Sequence, residues 1–213
     1  MTEKDPTSRP GLRAIQYWYV DGTYEIGFGL LCLILTAYFY IEKQVEGTWL
    51  SAIVDGSLIL VFIGGGALVN WLIRKWKERV TYPRTGYVAY RREGGMKRGL
   101  RIALGMVVGG LMGAVVAVLV TRPFEDFDVM PLVTGLLMGI VLAILAWRTS
   151  LPRLYLLAAC SILAGLGLAF ARLGNYTSLS LFYAALGGAM ILSGLVTLVI
   201  YLRQNPVPQE EPQ

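Results

Sequence analysis

The 213-residue chain contains no histidine. That absence removes the side chain most used as a general base near neutral pH, and with it the commonest ligand of zinc, copper and haem. Charge is scarce as well: 15% of residues are charged and 55% hydrophobic, far from a soluble globular mixture. The only two cysteines, Cys32 and Cys160, fall inside apolar stretches. There they act as small apolar residues with no oxidising compartment in which to pair, and they are too few for a thiolate metal centre. No segment alternates polar and apolar residues over the roughly ten positions of a membrane barrel strand. The expectation is therefore of no catalytic residue, no metal, no cofactor and no enzymatic activity.

What the sequence does have is long apolar runs. Six windows, at 20–41, 50–73, 101–121, 129–147, 154–173 and 178–202, are continuous and rich in Leu, Val, Ala and Gly. A hydrocarbon core about 30 Å thick takes about 20 helical residues to cross. The pattern predicts an all-α integral membrane protein, a six-helix transmembrane bundle in one domain over 1–205. The Pro-rich polar tail PVPQEEPQ at 206–213 is expected to be disordered.

The charges are segregated. Of the 19 Lys and Arg residues, all but Lys43, Arg122 and Arg172 fall on one side of these spans. Short cytoplasmic loops collect Lys and Arg, so both termini are expected in the cytoplasm and the protein in the cell's inner (plasma) membrane. The formal charge of +5 then reflects topology rather than a nucleic-acid partner. The segment MTEKDPTSRPGLR offers neither an apolar core nor a small-residue cleavage site, so no removable signal peptide is expected.

One connection stands out by length, the loop at 74–100, RKWKERVTYPRTGYVAYRREGGMKRG and onward, with a small hairpin expected about Pro83. It carries Arg74, Lys75, Lys77, Arg79, Arg84, Arg91, Arg92, Lys97 and Arg98, interleaved with Trp76, Tyr82, Tyr87 and Tyr90. Beside a membrane, each such cation attracts anionic headgroups by about 1 kcal/mol. Anionic lipid is the expected partner, with a cytoplasmic or membrane protein as the other reading and no nucleic acid. Small residues recur every fourth position at Gly105, Gly109 and Gly113 and at Gly135 and Gly139. Such faces let helices approach closely, within the chain or between copies of a homo-oligomer.

Acids at the span ends are the remaining candidates. Val-Asp-Gly occurs at 20–22 and again at 54–56, but Asp21 and Asp55 lie at opposite surfaces. Carboxylates sharing a proton stand roughly 3 Å apart, so an intramembrane aspartyl protease is excluded. Drawing the first helix back to Val20 puts Asp21 and Glu25 on one face, one turn apart. Glu25 at that depth needs a partner or water, and Arg98, Arg101 or Arg84 is expected to supply an ion pair, with a cation or proton site as the other reading. Asp55, the outer-leaflet acid, reads as a helix-start residue or as the wall of a polar cavity. The acids of FEDFD at 124–128 read as solvated.

The motifs YWYVDGTYEIGFG at 17–29 and TYPRTGYVAYRR at 81–92 resemble a group of uncharacterised bacterial multi-pass membrane proteins, with an Asp-Gly start to the first span and a YPRxGYV cytoplasmic loop. The resemblance implies a bacterial inner membrane and a coupling of the two motifs, and no activity. Few hydrophilic residues line the spans, which favours a non-catalytic membrane scaffold or accessory subunit whose basic loop docks a partner or anionic lipid. The alternative is a small homo-oligomeric transporter or channel using Glu25 and Asp55.

Overall fold

The computed structural model describes residues 19–80 and 127–206. The span expected at 101–121, the loop from 81 onward and the tail from 207 lie outside the described residues. Within them all regular structure is helical: α1 (Thr23–Val45), α2 (Ser51–Val80), α3 (Val129–Thr149), α4 (Pro152–Ala171) and α5 (Asn175–Gln204). The shortest has 20 residues, about 30 Å at 1.5 Å per residue, and all five are long and apolar enough to cross a membrane. The chain is a multi-pass helical membrane protein.

Local chemistry sets the ends. Gly22, at φ 72°, occupies a left-handed position that a side chain rarely adopts, and α1 begins immediately after it rather than at Val20. Pro152 opens α4, where its missing N–H is not needed. α2 continues to Val80, seven residues past the expected end at Ile73. Its WLIRKWKERV run holds Leu, Arg, Lys and Glu and no Gly or Pro, so nothing stops the helix there. Arg74, Lys75, Lys77 and Arg79 are helical residues, not loop residues.

α1 lies between α2 and α5, and α5 in turn meets α4, which pairs with α3. α1 and α5 run antiparallel: Gly22 meets Gly194, Gly29 meets Gly187, and the Thr36 carbonyl accepts a hydrogen bond from Ser180 Oγ at 3.1 Å. α3 and α4 also approach closely, since a Cβ on Gly135 would stand 2.7 Å from the Gly165 Cα. Ser161 Oγ donates to the Gly135 carbonyl at 3.0 Å across that contact, and Gly139 faces Ile162 and Ala158. With lipid as apolar as leucine, this close packing and its hydrogen bonds hold the helices together. The core fills with Cys32, Leu142, Ala146, Leu154, Phe182, Leu186 and Met190. A smaller cluster, Leu31 with Val69 and Ile73, seats α2 on α1.

This alternation gathers the start of α1, the ends of α2 and α3, the start of α4 and the end of α5 at one end of the bundle. The remaining helix ends share the other. The first end carries most of the described basic residues and the second most of the acids, and they are called here the basic and acidic ends.

Candidate functional site

At the basic end two acids are buried and both are paired. Asp21 and Lys77 are each 1% exposed, with Nζ 3.1 Å from Oδ2. The other Asp21 oxygen, Oδ1, accepts from the Thr23 backbone N–H at 3.2 Å and from Thr23 Oγ1 at 2.8 Å, which fixes the turn into α1. The Lys77 ammonium also lies 5.0 Å from the centre of the Tyr24 ring. Lys77 comes to this position because Gly65, Val69, Ile73 and Lys77, spaced by four, form the buried face of α2.

Glu25, 2% exposed, faces the other way. Its Oε1 accepts from Arg153 Nε at 2.5 Å and its Oε2 from Ser193 Oγ at 2.6 Å, so one carboxylate joins α1 to α4 and α5. Arg153 donates onward to the Tyr19 carbonyl. The Tyr19 ring tilts against Tyr24 at 5.0 Å, and burial pushes its phenol above the ordinary value. Charge-assisted bonds of this kind are shorter and roughly twice as strong as neutral ones.

Among the described residues Glu25 pairs with Arg153 and Ser193, because α4 starts beside α1 and brings Arg153 to it; its expected partners Arg84, Arg98 and Arg101 lie outside the described residues. Two expectations are corrected here. Asp21 and Glu25 do not share a helix face, since Gly22 breaks the backbone between them and their partners lie on different helices. Lys77 is no docking or lipid-binding group: it is sealed against Asp21. By contrast Arg74, Lys75 and Arg79 are exposed, with the Lys75 ammonium 4.0 Å from the Trp71 ring centre. Arg84, Tyr87, Arg91, Arg92, Lys97, Arg98, Gly105, Gly109 and Gly113 lie outside the described residues.

At the acidic end Asp55 lies one turn inside α2, which starts at Ser51, and it opens onto a cleft of about 760 Å³. Glu42 of α1, which sequence reasoning passed over, lines the same cleft at 6% exposure. The two carboxyls lie within electrostatic reach of each other and of the Tyr38 and Tyr176 hydroxyls. The Tyr38 hydroxyl donates to the Val54 carbonyl at 2.8 Å, tying α1 to α2. Asp128 is not simply solvated: its Oδ2 accepts from the Gly174 N–H and from Ser178 Oγ, both at 3.1 Å, at the start of α5.

No group of three or more Cys, Asp or Glu residues able to hold a metal ion occurs among the described residues. No protein-family model, curated protein or solved structure matches the chain. The class defined by fold and composition is thus a helical multi-pass membrane protein with one basic and one acidic end.

Proposed function

We propose that the chain is a non-catalytic membrane scaffold or accessory subunit whose basic end engages anionic lipid headgroups and so forms a docking surface. The observation that carries this reading is the division of charge at that end. Asp21 and Glu25 are consumed in buried pairs, while Arg74, Lys75, Arg79, Arg148 and Arg203 remain exposed. Exposed cations at a membrane surface gain about 1 kcal/mol each from anionic lipid. The excess of Lys and Arg supports orienting this end, and both termini, toward the cytoplasm of a bacterial inner membrane.

The reading as a transporter or channel through Glu25 and Asp55 draws less support. Glu25 is saturated by Arg153 and Ser193, and Asp55 belongs to the opposite end. Along α1, the interval from Glu25 to Glu42 is about 25 Å of mainly apolar helix.

Native mass spectrometry of the full chain, ejected from nanodiscs of equal phosphatidylglycerol and phosphatidylcholine, tests the proposal. Phosphatidylglycerol should be retained selectively, and the Arg74→Gln, Lys75→Gln, Arg79→Gln triple variant should lose that selectivity. Equal retention of both lipids would overturn it. So would a folded Glu25→Gln protein that loses an ion flux its parent shows in proteoliposomes.

A further inference from the structure

Glu42 is the one buried side chain among the described residues with a polar atom, Oε2, that has no hydrogen-bond partner. An unpaired carboxylate oxygen in an apolar setting is unfavourable unless something donates to it. The Tyr38 hydroxyl donates to the Val54 carbonyl, Asp55 is a second acid, and the Tyr176 hydroxyl reaches the Glu42 carboxyl but leaves Oε2 without a donor. Lys43, the next residue, is exposed at the rim. The cleft as a whole carries Glu42, Glu46 and Asp55 against Lys43, with aromatic walls from Tyr38, Phe39 and Tyr183. Phe39 and Tyr183 stack with an interplanar angle of 4° and their ring centres 5.5 Å apart.

We propose that this cleft binds a small organic cation, its protonated amine between the Glu42 and Asp55 carboxylates and its apolar body against Tyr38, Phe39 and Tyr183. Three features select that class. The cleft, at about 760 Å³, has the size of a small-molecule site rather than an ion cage. Only two carboxylates converge, fewer than a tight divalent site uses. An ammonium supplies the N–H donors that Glu42 lacks, and aromatic faces attract its charge. The site lies at the opposite end from the docking surface and does not depend on that reading.

Isothermal titration of the full chain in nanodiscs at neutral pH provides the test, with benzylamine as the probe and benzyl alcohol, sodium chloride and calcium chloride as comparators. Benzylammonium should bind saturably and benzyl alcohol should not. Glu42→Gln should weaken binding about tenfold or more, the loss of a charge-assisted bond. Asp55→Asn should also weaken it; because Asp55 is exposed, this variant decides the matter if the Glu42 variant does not fold. Absence of benzylamine binding overturns the proposal, as does unchanged affinity in the folded variants. Equal binding of benzyl alcohol, or saturable binding of sodium or calcium in place of the amine, overturns it too.

Discussion

α1 carries a buried glutamate near each of its ends, and the two are treated in opposite ways. Glu25, in the first turn, sits at the positive end of the helix dipole and takes donors on both oxygens from Arg153 and Ser193. Glu42, near the last turn, sits at the negative end of the same dipole, beside another acid, with an oxygen that nothing satisfies. The same side chain in the same helix therefore strengthens the fold at one end and strains it at the other. Groups that fold a protein come with their partners. A buried carboxylate oxygen left without a donor, as Glu42 Oε2 is, is one that an N–H of a bound ligand would satisfy.

The contrast can be broken most forcefully at Lys77. Truncating it to Met leaves Asp21 buried and charged, and removing one partner of a buried pair costs about 3–5 kcal/mol. Equilibrium unfolding in mixed micelles of dodecylmaltoside and SDS should register that loss in full for Lys77→Met, whereas adding Asp21→Asn to it should recover most of the stability. Two single losses that simply add in the double variant would mean that the pair is not coupled.

Glu25→Gln should cost less, about 2 kcal/mol, because the Gln oxygen can still accept from one donor. The Arg153 side chain, 25% exposed, can also turn toward water. A loss as large as that at Lys77 would show that Glu25 holds α4 and α5 more tightly than its hydrogen bonds imply. Ser193→Ala removes only one donor from an otherwise paired carboxylate and should cost about 1 kcal/mol in the same assay.

The helices themselves were readable because continuous apolar length is a strong signal, and the five described helices overlap the expected windows closely. The ends were harder to read. Ile73 looked like a terminus because hydropathy drops at Arg74, yet α2 runs on to Val80 as a polar helix. Lys77 and Glu42 are hard to place for one reason, that a charged residue at a span end reads as surface. Each continues the buried stripe of its own helix, Gly65, Val69, Ile73 then Lys77, and Leu31, Leu35, Tyr38 then Glu42. Spacing marked them as inward; only the partner, or its lack, required the fold. Arg153 could not have been matched to Glu25 from sequence, because 128 residues separate them and many arginines compete.

The smallest effect carries the opposite sign and sharpens the comparison most. If Glu42 Oε2 is held without a donor, Glu42→Gln removes a buried charge and leaves a group of the same shape, so the apo protein should become more stable by about 0.5–1 kcal/mol. Saturating benzylamine should narrow or reverse that gain, because it stabilises only the chain that binds it, by an amount growing with ligand concentration over Kd. Glu25→Gln, by contrast, should be destabilising with or without the amine. A Glu42→Gln protein that is less stable than its parent in both conditions would place Glu42 with Glu25, as a structural acid whose donor lies in the chain itself.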